Sequence, residues 1–271
     1  MKLGVNFGIS SRSSERSVLA SGFTAASISN LDLWYDFSTL TGSNGDAVSS
    51  FANAGGAGSD YNLSQGTGGV QPNLDTGELS LNSLDFDNDK FQLANAYLTT
   101  DQTFSIFIVY EVDATGDVDT FMAGSATGAN QFGVYNHKNV TTRFNAGVTG
   151  DLNNTEYIRT DQTTQDAGYG GSATTTTSYT LTANPEILIL TRAADEEIRI
   201  YNKAGALIGL STSTTNNHTN TNFQIEYIGA QSNTGSPNNG VIGEIGVYNK
   251  TLSASEASTL TAHLASKWSI T

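Results

Sequence analysis

The chain has 271 residues, no cysteine, and 12 basic against 26 acidic side chains, which give a net charge of −14. This charge argues against binding of nucleic acid by the body of the protein. The absence of cysteine excludes disulfides, thiolate nucleophiles and zinc ribbons. No run of about 18 apolar residues is present, so we expect no membrane insertion.

Residues 1–29 differ in composition from the rest of the chain. Three basic residues against one acidic residue give residues 1–30 a charge of +2, which leaves −16 for residues 31–271. No continuous apolar stretch follows the basic start, so we expect no signal peptide. The segment is either a disordered terminus or an extended docking arm that orders against a partner. In the second case its anchors are Phe7, Ile9, Arg12, Arg16, Val18, Leu19 and Phe23.

From residue 31 onwards the sequence predicts strands separated by loops. Residues 31–37 alternate between apolar and polar positions, whereas residues 41–80 contain glycine clusters that predict loops. Alternation returns in residues 83–87, and Asn88-Asp89 predicts a turn before a second strand begins at Phe91. These two strands are expected to form a tight hairpin.

The central part of the chain predicts further antiparallel strands. Residues 104–112 are apolar at nearly every position, which is typical of a central strand covered on both faces. The clearest hairpin joins residues 186–192 to residues 197–202. Other strands are predicted at 120–123, 131–136, 141–146, 179–182, 206–210, 223–229 and 240–248. Many short strands with turn signals predict an all-β fold, an antiparallel β-sandwich or jelly roll.

A short C-terminal α-helix closes the chain. Ser253 and Glu256 have the spacing of a capping box, in which each side chain satisfies a backbone donor of the other residue. Apolar residues then recur on one helical face, and we expect this face to pack on the sandwich: Ala257, Leu260, Leu264 and Trp268.

Five segments resemble, in chain order, the motifs of one protein family. They are Leu31-Asp-Leu-Trp-Tyr-Asp-Phe-Ser38, Leu84-Asp-Phe-Asp-Asn-Asp-Lys-Phe91, Phe104–Val112, Ile198-Arg-Ile-Tyr-Asn202, and Ile242–Ser253 with the later Lys267-Trp268. The family is that of the concanavalin A-like lectin/glucanase domains, the laminin-G-like group. The resemblance implies a concanavalin A-like β-sandwich over residues 30–271. It also implies three kinds of function, because lectins, glycoside hydrolases and tailed-phage structural proteins use this fold.

The acidic residues do not have the pattern of catalytic carboxylates. Glucanases of this fold carry carboxylates at alternate positions of one strand, which places a nucleophile and a general acid about 5 Å apart. Asp195, Glu196 and Glu197 are consecutive and favour a solvated turn, and Glu186 and Glu244 are interpreted as isolated acids. We therefore predict that the protein is not an enzyme and uses no cofactor.

Binding sites for metal and sugar are the remaining candidates. Asp85, Asp87 and Asp89 alternate and suit calcium, but an EF-hand glycine and glutamate are missing downstream, so exposed hairpin aspartates are favoured over a metal site. A sugar site would combine aromatic rings with amides. Residues that fit, in loops or at strand edges, are Tyr135, Asn136, His137, Tyr157 and Tyr169.

Two hypotheses about function follow. The first is a non-enzymatic virion structural protein of a tailed phage, a capsid decoration or a tail or fibre component, made in the host cytoplasm. Its arm would bind other virion proteins, and multiple copies or a homo-oligomer would present weak, outward-facing affinity for a host glycan. The alternative is a carbohydrate-binding lectin module or adhesin, and a glycoside hydrolase is the least favoured.

Overall fold

The computed structural model describes residues 22–98, 103–112, 118–124, 130–137, 141–148, 158–160, 165–167, 171–173, 184–193, 198–213, 224–230 and 238–271. These ranges contain eighteen strands in two antiparallel sheets and one α-helix, α1 (Ala254–Lys267). The first nine strands are β1 (Leu31–Asp36), β2 (Ser50–Phe51), β3 (Leu63–Ser64), β4 (Asn73–Asp75), β5 (Ser83–Asp85), β6 (Phe91–Leu98), β7 (Phe104–Val112), β8 (Val118–Ala123) and β9 (Asn130–His137). The others are β10 (Thr141–Val148), β11 (Ile158–Thr160), β12 (Gln165–Ala167), β13 (Gly171–Ala173), β14 (Glu186–Arg192), β15 (Ile198–Tyr201), β16 (Leu207–Ser213), β17 (Gln224–Ile228) and β18 (Gly240–Tyr248).

The two sheets have different strand orders. Sheet A runs β13-β16-β15-β14-β7-β18-β5-β4, and β1 pairs with the second half of β18. Sheet B runs β12-β11-β10-β9-β8-β17-β6-β3-β2. Two antiparallel sheets with a closing helix confirm the predicted all-β sandwich.

Sheet A is covered on both of its faces. On the side of sheet B, Ile106 and Ile108 of β7 join the main hydrophobic core between the sheets. On the opposite side, Phe107 and Val109 join a second core that includes the apolar face of α1. This double coverage confirms that residues 104–112 form a central strand.

The helix α1 begins and packs as its sequence predicts. The hydroxyl of Ser253 accepts a hydrogen bond from the Glu256 backbone N–H, and the Glu256 carboxylate accepts one from the Ser253 N–H. Leu264 and Trp268 are buried in the second core, where Trp268 is 1% exposed. The capping box and the apolar face therefore act together to fix the helix on sheet A.

Most of the predicted strands are present. The hairpin of β14 and β15 is confirmed, with Ile189 opposite Tyr201 and Leu190 opposite Ile200. Strands β8, β9, β10, β16, β17 and β18 correspond to six of the other predicted strands. The strand predicted at residues 179–182 lies outside the described residues.

The predicted hairpin around Asn88 is wrong. Strand β5 pairs with β4 and β18 in sheet A, whereas β6 pairs with β3 and β17 in sheet B, so residues 86–90 cross from one sheet to the other. Asn88 still makes a turn, with φ of 62°. The crossing carries Phe86 and Phe91 into the main core, where their ring centroids are 6.2 Å apart.

Within the described ranges, no helix has the length and apolar character needed to cross a membrane.

Candidate functional site

The outer faces of the two sheets differ in their accessibility. In the part of the chain that the structure describes, α1 covers the outer face of sheet A. On sheet B, the side chains of β6 that alternate with core residues are exposed, among them Gln92 and Ala94. The neighbouring Asn95 is exposed as well. Among the described residues, the outer face of sheet B is therefore exposed at β2, β3 and β6, whereas Tyr227 of β17 and Ala123 of β8 are buried.

One line of paired residues crosses six strands of sheet B. The registers place Ser50 opposite Ser64, Ser64 opposite Gln92, Gln92 opposite Tyr227, Tyr227 opposite Ala123, and Ala123 opposite Gly133. We call these six residues the uncharged row, because no member carries a formal charge. Adjacent strands are about 4.8 Å apart, so the row spans roughly 24 Å.

The row lies on the outer face of the sheet. Directly opposed residues of antiparallel strands share a face. The neighbours of the row along the chain, Leu63, Phe91, Met122 and Ile228, are all buried in the main core. Row members therefore project away from the core. Ser64 and Gln92 are exposed there, whereas Tyr227 is 7% exposed and Ala123 is fully buried.

The aromatic ring of the row is covered by a lysine. The Lys90 ammonium lies 5.9 Å from the centroid of the Tyr227 ring, and Tyr227 is 7% exposed. Burial lowers the pKa of Lys90, while burial and the adjacent Glu226 raise the pKa of the Tyr227 hydroxyl. A ligand that stacks on this ring must displace the lysine side chain, which a flexible four-carbon stem permits.

An amide and a carboxylate precede Tyr227 on the same strand. The side-chain amide of Gln224 donates a hydrogen bond to the Glu226 carboxylate. Both side chains are half-buried, and burial raises the pKa of Glu226. Amides both donate and accept hydrogen bonds, and carboxylates accept them, so these groups match ligands that are rich in hydroxyls.

The three alternating aspartates differ in their environments. Asp87 is exposed and Asp85 half-buried, whereas Asp89 is 6% exposed. Burial, with repulsion from Asp87 and Asp85, raises the pKa of Asp89 to about 6. The prediction that all three are exposed is therefore wrong. Among the described residues, no group of three or more histidine, aspartate or glutamate side chains is placed to hold a metal ion.

Of the sugar-binding residues predicted from the sequence, three lie on β9 and two lie outside the described residues. In β9, Tyr135 pairs with Thr120 and lies two positions along the strand from Gly133 of the uncharged row. Its neighbours Asn136 and His137 complete the strand. Tyr157 and Tyr169 lie outside the described ranges.

Sequence reasoning missed the key members of the row, Gln92 and Tyr227. The local signal for each is the alternation of apolar and polar residues in its own strand, β6 for Gln92 and β17 for Tyr227. Nothing in it indicates which strands become neighbours.

The predicted arm residues lie outside the described residues except for Phe23. The Phe23 ring packs edge-on against His263 of α1 at 5.3 Å between centroids. Beside it, the Tyr248 hydroxyl donates a buried hydrogen bond of 2.8 Å to the Ala25 carbonyl. Residues 23–25 are thus attached to the helix side of sheet A. This side is opposite to the uncharged row.

Glu244 and Glu186 are not isolated acids, which corrects the prediction. Glu244 is fully buried, and its Oε1 accepts a hydrogen bond of 2.8 Å from the Trp34 indole. Its Oε2 accepts from the Lys267 ammonium at 2.7 Å and from the Trp268 indole at 3.0 Å. Lys203 forms an ion pair of 3.5 Å with the buried Glu186.

A second carboxylate completes the Glu244 cluster. Asp36 Oδ1 lies 2.6 Å from the Lys267 ammonium, which also contacts Glu244. The contacting oxygens are therefore at most about 5.3 Å apart, and the carboxyl groups of retaining glycosidases have a similar spacing. However, both Glu244 oxygens are occupied by donors and the side chain has no exposed surface. The cluster joins α1 to strands β1 and β18.

Comparisons with known proteins show the fold. No protein-family model matches the sequence, and no curated protein matches it. Domain 4 of AbnA, a GH43 extracellular arabinanase from Geobacillus stearothermophilus solved with arabinotriose, is similar with a TM-score of 0.50 and 12% identity. The match covers 86% of this chain and 98% of that domain.

A second similar structure is the Trypanosoma rangeli sialidase in complex with 2,3-difluorosialic acid, with a TM-score of 0.53 and 14% identity. The match covers 88% of this chain and 33% of the sialidase. The chain therefore spans about a third of the length of that enzyme. At these identities, the likeness establishes a shared β-sandwich architecture.

Proposed function

We propose that the protein is a non-enzymatic carbohydrate-binding module of the concanavalin A-like type, and that it binds glycans on the outer face of sheet B. The observation that carries the proposal is the uncharged row, in which the exposed polar residues Ser64 and Gln92 lie in line with the Tyr227 ring beneath Lys90. The likeness over nearly the full length of an arabinanase domain that holds arabinotriose supports it. The sequence motifs of the lectin and glucanase group add to this support.

The chemistry of the row suits a sugar chain. Sugar hydroxyls need groups that both donate and accept hydrogen bonds, which Gln92 and the two serines of the row provide. The apolar face of a sugar ring stacks on an aromatic ring, the role assigned to Tyr227.

Catalysis has little support in the Glu244 cluster. A glycosidase needs one carboxylate to reach the scissile bond and the other to act as acid or nucleophile. Glu244 is enclosed by Trp34, Trp268 and Lys267, and a substrate has no path to it. We expect the purified protein to release no reducing sugar from the glycans that it binds.

The virion role stays a prediction. Of the arm residues on which it depends, the structure describes Phe23 alone. Binding of a glycan is compatible with a position on a particle, so the two hypotheses are not exclusive.

Calorimetry of the full chain with a panel of oligosaccharides tests the proposal. Tyr227→Ala and Gln92→Ala are expected to weaken binding by at least about ten-fold, which corresponds to about 1.4 kcal/mol. The control is Ser266→Ala, an exposed change on α1 that should leave binding unaltered. Unchanged affinity in both row variants contradicts the assignment of this face, and absence of binding across the panel contradicts the function.

A further inference from the structure

We infer that the glycans bound by the outer face of sheet B are acidic, and that Arg143 and Arg159 form the subsite for their anionic group, a carboxylate or a sulfate ester. The observation that carries the inference is the placement of these two arginines directly opposite each other on β10 and β11. We call them the basic pair. The inference rests on the proposed function and narrows its class of ligand.

The basic pair belongs to a second line of paired residues that crosses sheet B. The registers place Thr120 opposite Tyr135, Tyr135 opposite Arg143, Arg143 opposite Arg159, and Arg159 opposite Asp166. Directly opposed residues of antiparallel strands share a face, so all five lie on one face of the sheet.

Two observations place this line on the outer face. Tyr135 lies two positions along β9 from Gly133 of the uncharged row, and residues two apart in a strand share a face. The positions that alternate with the line include apolar residues that suit the core side, namely Phe132, Val134, Phe144 and Ile158. The basic pair and the uncharged row therefore occupy the same face.

The basic pair lies next to one end of the uncharged row. Gly133 is opposite Asn145 of β10, so Asn145 lies in line with the row on the next strand. Arg143 is two positions from Asn145 on that strand, a separation of about 7 Å, and it is roughly 16 Å from Tyr227 across the sheet. One oligosaccharide of several sugars can therefore contact both the row and the pair.

The charges around the basic pair favour an anionic ligand. Like charges at directly opposed positions of antiparallel strands destabilise a sheet. Asp166 balances one of the two arginines, and the described residues of β9, β10 and β11 include no acid. Among the described residues of this line, one positive charge is therefore left, in a body whose net charge is −16. A bound anion would balance that charge.

The residue types of the line match an acidic sugar. Arginine donates two parallel hydrogen bonds to a carboxylate or to a tetrahedral oxyanion, a geometry that lysine does not offer. Tyr135, opposite Arg143, supplies an aromatic ring for the sugar that bears the anionic group. The row then takes the hydroxyls of the remaining sugars.

Calorimetry of the full chain with matched sugars tests the inference. Trigalacturonate is paired with its neutral methyl ester, and lactose is paired with α2,3-sialyllactose and with 3′-sulfolactose. We expect at least one acidic sugar to bind at least about ten-fold more tightly than its neutral partner. A gain with carboxylated sugars alone identifies a carboxylate subsite, and a gain with sulfolactose alone identifies a sulfate subsite.

Variants of the line sharpen the test. Arg143→Gln and Arg159→Gln should each lower the ratio of acidic to neutral affinity by at least about five-fold. Asp166→Asn removes the carboxylate that competes for the pair and should raise this ratio by at least about two-fold, which also tests the inference if an arginine variant does not fold. The control is Lys250→Gln, which removes one positive charge beside α1 and should leave the ratio within about two-fold.

Two results would overturn the inference and leave the proposed function intact. The first is wild-type protein that binds each neutral sugar as tightly as its acidic partners. The second is an equal change of the ratio in Lys250→Gln and in the arginine variants, because net charge would then explain it. Failure to bind every sugar of the panel overturns the proposed function, and the inference with it.

Discussion

Asp36 and Glu244 lie directly opposite each other on strands β1 and β18, and a single ammonium, that of Lys267, contacts both carboxylates. Like charges at opposed positions of antiparallel strands repel each other. The ammonium and the indoles of Trp34 and Trp268 offset this repulsion. Lys267 therefore stabilises the junction of the helix with two strands.

Lys267→Met should destabilise the protein by about 3 kcal/mol, because it leaves the buried Glu244 carboxylate without its cation. Lys250→Met is the matched control, since Lys250 pairs with the more exposed Glu256 and should cost less than about 1 kcal/mol. Urea unfolding of both variants measures the difference. Equal losses in the two variants would show that Glu244 does not depend on its lysine.

Asp89→Asn should stabilise the protein above pH 6. The folded-state pKa of Asp89, about 6, lies above its ordinary 3.8, so the folded protein holds this proton more tightly than the unfolded chain. The contribution of the protonated Asp89 to the free energy of unfolding is complete below the ordinary pKa and is lost as the pH rises through about 6. The asparagine side chain does not ionise, so the variant avoids this loss.

Thermal unfolding between about pH 3.5 and 8 measures the effect of Asp89→Asn. The melting temperature of the variant should exceed that of the wild type at the upper end and converge with it at the lower end. Asp60→Asn, at an exposed position, serves as the control and should show no such divergence. Parallel curves for wild type and Asp89→Asn would contradict the burial of this carboxyl.

Gly229→Ala should destabilise the protein by about 3 kcal/mol. Gly229 has φ of +86°, and an added Cβ would lie 2.2 Å from the Phe86 ring and 3.0 Å from the Asp89 carbonyl. Gly69→Ala meets no atom within 4 Å and should change stability by less than about 0.5 kcal/mol. Chemical denaturation measures the free energy of unfolding of both variants. If Gly229→Ala left this free energy unchanged, residues 86–90 would not pass beside Gly229 as described.

Lys90→Ala should strengthen binding of an oligosaccharide by about two- to five-fold. A cation over an aromatic ring contributes about 0.5–1 kcal/mol at an accessible site, and the variant removes this competitor for the Tyr227 ring. Lys250→Ala removes the same charge from the segment before α1, where Lys250 contacts the more exposed Glu256. If calorimetry gave equal gains in affinity for both variants, the gain would come from the change in net charge and not from access to the Tyr227 ring.

The elements that the sequence predicts well are those set by local patterns. The capping box of Ser253 and Glu256 acts over three residues, and the apolar run of residues 104–112 needs no knowledge of its neighbours. The turn at Asn88 is also encoded locally, but its place in the sheet topology is not. Whether it closes a hairpin or crosses between sheets depends on pairings of β5 with β18 and of β6 with β17.

The candidate site could not be predicted for the same reason. Glu244 looks isolated in the sequence because its partner Trp34 is 210 residues away. The uncharged row joins Gln92, Ala123 and Tyr227, and only the tertiary register places them side by side. A shift of one residue in any of these strands would turn the row residue towards the core.

The position of β18 has a consequence for how the chain folds. This strand lies within sheet A, bonded to β7 on one side and to β1 and β5 on the other, although some 200 residues separate β1 from it. Such pairings give a high contact order, for which folding is slow. During synthesis on the ribosome, β1 cannot pair with β18 until residues 240–248 have been made. Until then its exposed edge is a site where chaperones or other nascent chains can bind.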